Sequence, residues 1–273
     1  MPQARLEDCL LYCGERGRGS PLLLLQGLGG SHRSWGEPFL EALAAHFRVL
    51  TFDHRGTGRS TRGTAPYTIP QLAADASRAL TSLGVDRAHV FGLSMGGMVA
   101  QELALGFSER VGGLVLASTN CGGRQSIWPS PAGRRRFAES IGVGESAWPL
   151  VVSSEFAGAQ PEFVRRVAME TVIAGTAPSV LVEQARAVSR FSTFDRLPLI
   201  LSPTLVMVGD KDLLIPPENG RVLVRRIRDA QGVVVRGSGH VFVWEAPERA
   251  AAEVVRFLEG PAARTLSAES MAR

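Results

Sequence analysis

Gly92-Leu93-Ser94-Met95-Gly96-Gly97 is the stretch that decides how the rest of the chain is read. It follows the apolar run Ala88-His89-Val90-Phe91 and leads into Met98-Val99-Ala100-Gln101-Glu102-Leu103-Ala104-Leu105, which has helical character. A strand, a tight turn and a helix with a serine at the apex bring the residues two before and two after the serine close together. Glycine at 92 and 96 leaves room for that approach, and Ser94 is expected in a strained conformation with its hydroxyl lifted clear of the backbone. A Gly-x-Ser-x-Gly string alone is a weak pattern. In this strand–turn–helix context it makes Ser94 a candidate nucleophile. A hydroxyl is a poor nucleophile at its own pKa, so the chain must also supply a base, a group to orient it, and donors for a developing oxyanion.

Outward from this turn the pattern alternates. Leu10-Leu11-Tyr12-Cys13 predicts a short strand ended by the glycine-rich turn Gly14-Glu15-Arg16-Gly17-Arg18-Gly19. Pro21-Leu22-Leu23-Leu24-Leu25 is continuously apolar, as a strand covered on both faces should be. It opens into the loop Gln26-Gly27-Leu28-Gly29-Gly30-Ser31, whose glycines let backbone N–H groups turn toward a ligand. Residues 35–45 read as helix, and Phe47-Arg48-Val49-Leu50-Thr51-Phe52-Asp53 as the next strand. Thr68 caps a helix with Leu72, Ala76, Leu80 and Leu83 on one face, closed by Gly84. Val111-Gly112-Gly113-Leu114-Val115-Leu116-Ala117 is another strand. This order predicts an α/β fold with a mostly parallel central sheet and helices on both faces.

The alternation stops at residues 122–198, where no buried strand is evident. Pro161 starts a helix there with Phe163, Val164, Val167, Ala168 and Thr171 on a face, and another helix holds Leu181, Ala185 and Val188. This is expected to be a helical cap inserted between a first core part, residues 1–121, and a second, residues 199–260. The second part has a strand at Pro203-Thr204-Leu205-Val206-Met207-Val208-Gly209, a helix near 218–228, a strand at Gly232-Val233-Val234-Val235 and a last helix at 245–258. Residues 261–273 are small and polar and are expected to fray.

Composition excludes several classes. With 45% hydrophobic and 21% charged residues over 273 positions, the chain resembles a soluble globular protein of one large domain with an insertion. Its net charge of +4 comes from scattered arginines, with Lys211 the only lysine, and no basic stripe interleaved with aromatics argues for nucleic acid. Cys9, Cys13 and Cys121 have no framework spacing. On one strand, Cys9 and Cys13 would stand about 13 Å apart, too far to bridge. The first residues have no apolar segment of signal-peptide or membrane-span length, so the expectation is a cytoplasmic protein without a membrane partner.

Five histidines compete for the role of base. His89 lies inside a strand and His46 ends a helix, whereas His32 and His54 sit on loops at the correct edge. His240, in Gly237-Ser238-Gly239-His240 after the final strand, is the best placed to reach Ser94. The orienting acid should also follow a strand. Gly209-Asp210-Lys211-Asp212 offers two candidates, and Asp212 is favoured because its spacing lets the chain clear the strand before turning back. Asp210 reads as a turn residue binding local backbone N–H groups. The chain order Ser94, Asp212, His240 is that of nucleophile-elbow hydrolases.

These features resemble the α/β-hydrolase fold superfamily over nearly the whole chain. Gln26-Gly27-Leu28-Gly29-Gly30, Asp53-His54-Arg55-Gly56-Thr57-Gly58-Arg59-Ser60 and Glu245-Ala246-Pro247-Glu248 are also similar to it. One departure is Gln26, where many relatives carry histidine. The resemblance implies an oxyanion hole made by the backbone N–H groups of Leu28 and Met95, the latter also favoured as a helix start with unpaired N–H groups. It gives Asp53 and Arg55 a bracing role and makes Asp195 structural, while Cys121, which follows a strand at the active edge, is set aside because Ser94 is better placed. It implies a serine hydrolase without cofactor or metal, acting on a small-molecule carboxylic ester through an acyl-enzyme. Carboxylesterases and 3-oxoadipate enol-lactonases are both similar around Ser94, and carbon–carbon bond hydrolases share the triad. A lactonase would need a cation for its substrate's carboxylate, for which the insertion offers Arg134, Arg135, Arg136, Arg165, Arg166, Arg186 and Arg190. A ligand-binding receptor with incidental hydrolysis is the alternative from another class, and multiple turnover separates it from an enzyme. The oligomeric state is not legible.

Overall fold

Continuously apolar runs form the middle of the sheet because both of its faces are covered. The computed structural model describes residues 3–64, 67–129, 131, 135, 148–173 and 176–260, with backbone alone for 148, 149 and 168–173. The expectations for residues 261–273, Arg134 and Arg136 fall outside them. The first half carries β1 (Gln3–Arg5), β2 (Leu10–Arg16), β3 (Pro21–Leu25), α1 (Glu37–Ala44), β4 (Arg48–Phe52), α2 (Ile69–Ser82), β5 (Ala88–Leu93), α3 (Met95–Gly106) and β6 (Val111–Ala117). After an insertion come β7 (Thr204–Gly209), α8 (Glu218–Arg226), β8 (Ala230–Val235), α9 (Phe242–Glu245) and α10 (Pro247–Leu258). The sheet order is β1-β2-β4-β3-β5-β6-β7-β8. β1 and β2 pair antiparallel, as do β2 and β4, and every later pair is parallel.

Alternate residues of each strand enter opposite cores. Leu23, Leu25, Val90, Leu114, Leu116 and Val206 pack with α2 and α3 on one face. Leu22, Leu24, Phe91, Leu93, Val115 and Met207 pack with α1 and α10 on the other. Thr68 caps α2 as its sequence implies, its hydroxyl accepting from Gln71 N at 3.1 Å, and Gly84 follows the helix at φ 67°.

Two local expectations are corrected, and one strand is added. β2 does not stop at Cys13 but runs to Arg16, because Gly14 pairs with Thr51 in the ladder. A Cβ at Gly14 would stand 2.6 Å from Thr51 Oγ1, so that glycine serves close approach, and the turn falls at Gly17 and Gly19. β1, too short to show a period, was not legible and pairs on β2. The single helix expected at 245–258 is α9 and α10, with Pro247 opening α10 where its missing N–H costs nothing.

The described part of the insertion contributes α4 (Trp148–Val151), α5 (Ser154–Ala159), α6 (Pro161–Ile173) and α7 (Pro178–Arg190), and its one bridge joins Gly122 to Ser192. Val164 and Val167 of α6 are buried as expected. The buried side of α7 is Val180, Gln184 and Ala187, one residue round from the apolar set Leu181, Ala185 and Val188. Counting only apolar residues missed this face because a polar residue, Gln184, lies at its centre. No helix among the described residues is long and apolar enough to cross a membrane. Cys9, Cys13 and Cys121 are free and buried, and burial pushes the Cys9 and Cys13 thiols up to about 11.

Candidate active site

Ser94 is built as its sequence context implies. It lies between β5 and α3 at φ 57° and ψ −120°, a positive φ that costs a non-glycine residue backbone energy. Its N–H donates to Ala117 O at 2.9 Å and its carbonyl accepts from Thr119 Oγ1 at 2.8 Å, so the turn is tied to the end of β6. The two glycines have different reasons. A Cβ at Gly92 would stand 2.3 Å from Gly96 O, across the turn itself. A Cβ at Gly96 would stand 1.9 Å from Leu25 O, so position 96 is small because β3 passes behind it.

The loop after β3 lies against this turn, with the site for a Gly27 Cβ 3.2 Å from Ser94 Cβ and 3.7 Å from its Oγ. Gln26 Oε1 accepts from Gly27 N at 2.8 Å, so the residue that departs from the resembled pattern supports the loop itself. His54 Nε2–H donates to Gln26 O at 3.1 Å. Burial lowers the pKa of this imidazole, which keeps it a neutral brace. The N–H groups of Leu28 and Met95 find no acceptor among the described residues.

Asp212 follows β7 and His240 follows β8. Their side chains are nearly inaccessible, at 1% and 4%, and His240 Nδ1 stands 2.8 Å from Asp212 Oδ2. Asp212 Oδ1 accepts from Leu214 N and Ile215 N at 2.9 and 2.8 Å. With Oδ1 taken by two backbone N–H groups, Oδ2 is left to accept from Nδ1–H of His240, and Nε2 is the ring nitrogen that the carboxylate does not engage. Asp210 accepts from Gly237 N at 2.6 Å, so it ties the β7 loop to the β8 loop instead of binding its own turn. Since β5, β6, β7 and β8 are parallel neighbours, Ser94, Asp212 and His240 all leave the sheet at its C-terminal edge.

The remaining sequence candidates are structural neighbours. Asp53 accepts from His32 N, His32 Nδ1 and Arg59 N, which consumes His32 as a partner. Arg55 is buried between Asp75 and Asp8. His89 Nδ1 accepts from Gly113 N, and His46 contacts Glu259 at the surface. Burial raises the Cys121 thiol, the opposite of what a nucleophilic thiolate needs. Asp195 is exposed.

The roles of two residues were not legible in the sequence, although Glu245 heads the run Glu245-Ala246-Pro247-Glu248. Glu245 Oε1 accepts from Gly239 N at 2.7 Å, and its Oε2 accepts from Ser153 N at 3.1 Å, tying the insertion to the backbone beside His240. Burial raises the pKa of this carboxyl. Gln184, on α7, accepts from Gly29 N at 2.9 Å. Glu245 reaches Ser153 across 92 residues and Gln184 reaches Gly29 across 155, so no local pattern announced either contact.

The likeness extends to known proteins. The chain is 32% identical over 263 residues to the "Putative carbamate hydrolase RutD" of Azorhizobium caulinodans, covering 91% of this chain and 94% of that one. It is 32% identical over 267 residues to rhodomycin D methylesterase DauP of a Streptomyces species, covering 86% and 89%. Among solved structures, the enol-lactonase of Burkholderia xenovorans LB400 superposes with a TM-score of 0.84 at 27% identity, covering 95% of this chain and all of that one. The family model described as "Alpha/beta hydrolase family" matches residues 22–254, from β3 into the last helix. The serine turn after β5, the aspartate after β7 and the histidine after β8 fall within that match, and the chain belongs to the alpha/beta hydrolase family.

Proposed function

We propose that the protein is a serine hydrolase of carboxylic esters, working through an acyl-enzyme on Ser94 with Asp212 and His240, without cofactor. The observation that carries this reading is the buried His240–Asp212 pair at the sheet edge that also holds the strained Ser94 turn. His240 Nε2 takes the hydroxyl proton as Ser94 Oγ attacks the ester carbonyl, and Asp212 stabilises the imidazolium that forms. The oxyanion is held by the N–H groups of Leu28 and Met95, the second at the positive end of α3. His240 returns the proton to the leaving alcohol. A water deprotonated by the same histidine then hydrolyses the acyl-enzyme, releasing the acid. The insertion, residues 122–198, serves as the cap that shapes the substrate site.

The named relatives include a methylesterase and a lactonase, so esters of both open and cyclic form are candidate substrates. The charge distribution favours the open ester. Of the insertion's described arginines, Arg135, Arg165, Arg166, Arg186 and Arg190 are all exposed. Arg165 pairs with Glu162, and Arg166 lies 5.3 Å over the Phe163 ring. None of these five offers the buried cation that a substrate carboxylate would require.

The test is multiple turnover of p-nitrophenyl esters from acetate to octanoate, with Ser94→Ala as control. Acid release far beyond one equivalent, abolished by the substitution, is expected. No turnover on any ester or lactone, or activity that survives loss of the serine hydroxyl, would end this reading.

A further inference from the structure

We propose that Gln184, on the inserted helix α7, is a positioning residue that fixes the Leu28 N–H as an oxyanion donor, so that docking of the insertion completes the hole. This rests on the serine-hydrolase reading above and names a part of that site which the sequence did not disclose.

Four peptide units span residues 26–30, and each makes a hydrogen bond. The Gln26–Gly27 unit is held at both ends, its oxygen by His54 Nε2–H and its N–H by Gln26 Oε1. The oxygen of the Gly27–Leu28 unit accepts from Gly30 N at 3.1 Å. The N–H of the Leu28–Gly29 unit donates to Gln184 Oε1 at 2.9 Å. The oxygen of the Gly29–Gly30 unit accepts from Thr176 Oγ1 at 3.3 Å. Within this run the Leu28 N–H is left without an acceptor while the units on either side of it are pinned.

Two of those pins come from the insertion, and both grip Gly29. That residue has φ 72°, and a Cβ on it would lie 2.8 Å from Leu181 Cδ2, so α7 also covers its outer face. Glycine at such a φ is the most permissive point of the backbone, and without a partner the Leu28–Gly29 peptide could rotate. Rotation there would displace Gly30, whose N–H holds the oxygen of the unit that carries the Leu28 N–H, and an oxyanion donor works only when it is already aimed at where charge will develop.

Gln184 is fully buried, and its Nε2 has no partner among the described residues. An unpaired buried amide is unfavourable where an apolar side chain of similar size would not be. The carboxamide is therefore explained by its oxygen, the atom on Gly29 N.

The test compares the wild type, Gln184→Leu, Gln184→Glu and Ser94→Ala on one p-nitrophenyl ester, with active sites counted by fluorophosphonate labelling. Gln184→Leu is expected to lower kcat by about tenfold or more at nearly unchanged KM. Affinity for a trifluoromethyl ketone, which forms the tetrahedral adduct, should fall by the same factor as kcat/KM. Gln184→Glu keeps an acceptor oxygen in either protonation state and is expected to stay within about threefold of the wild type. Amide exchange in a peptide covering residues 26–31 should quicken in Gln184→Leu, a readout independent of turnover. Wild-type kcat in Gln184→Leu, unchanged exchange, or a loss confined to thermal stability would overturn the assignment. Ser94→Ala separates the two levels. Hydrolysis surviving it sinks the site reading, whereas its loss there beside an unaffected Gln184→Leu sinks only the role of Gln184.

Discussion

Asp212 Oδ2 accepts from Nδ1 of His240 at 2.8 Å, across a gap of 28 residues, while the other oxygen of the same carboxylate is held by two backbone N–H groups. That second grip makes Asp212→Asn predictable. The amide oxygen stays with Leu214 N and Ile215 N, so the NH2 group faces His240 Nδ1. The imidazole must then carry its proton on Nε2, where a base needs a lone pair. We expect kcat to fall by about 10³–10⁴-fold with KM little changed, measured under saturating ester. A loss smaller than tenfold would remove Asp212 from the mechanism.

Gly92→Ala and Gly96→Ala test the two halves of the serine turn. Each would drive a Cβ to within 2.3 Å of a carbonyl oxygen, Gly96 O in the first case and Leu25 O in the second. Backbone cannot yield as a flexible side chain would. Both variants are expected to lose more than about 3 kcal/mol in urea unfolding or to fail to accumulate folded. Near-wild-type stability of Gly96→Ala would mean that Leu25 O of β3 does not lie behind position 96.

Arg55 gives a test of stability away from the chemistry. It donates to both oxygens of Asp75, at 2.7 and 2.9 Å, with both side chains 1% accessible. Arg55→Met strands that carboxylate, with the mostly exposed Arg78 at 4.0 Å its remaining cationic partner among the described residues. The expected cost is about 3–5 kcal/mol by urea unfolding, and Asp75→Leu in the same chain should recover part of it. A single substitution costing under about 1 kcal/mol would show the pair to be solvated.

His89 predicts a pH dependence of stability. Burial, aided by Arg87, lowers its pKa from 6.5 to about 4, and its Nδ1 accepts from Gly113 N only when unprotonated. Above pH 6.5 the imidazole is neutral in both folded and unfolded chains and has no effect on the slope. Between 6.5 and 4 the unfolded chain binds a proton that the fold refuses, so stability falls as pH falls, and the loss levels off below about 4. His54 acts in the same direction. Urea midpoints at pH 7 and pH 5 should therefore separate more in the wild type than in His89→Gln, which keeps an acceptor oxygen. Equal separation would count against the refused proton.

Features that depend on near neighbours were legible in the residues alone. Continuous apolar runs such as Leu22–Leu25 announced strands covered on both faces, Thr68 and Gly84 marked the ends of a helix, and Gly92 to Gly97 marked the turn around Ser94. The sequence also nominated Asp212 and His240, because each follows a strand and parallel strands deliver their following loops to one edge. Tertiary structure alone decided what depends on residues distant in the chain. Gly14 sits inside a strand because Thr51 lies beside it, and Gly96 must be glycine because Leu25 O stands behind it. Gln184 turns inward against the apolar pattern of its helix, because Gly29 N, 155 residues earlier, requires an acceptor there. Local periodicity records which face of an element is buried on average. It does not record which single atom on another segment needs a partner, and at this site those single atoms aim the loop beside Ser94.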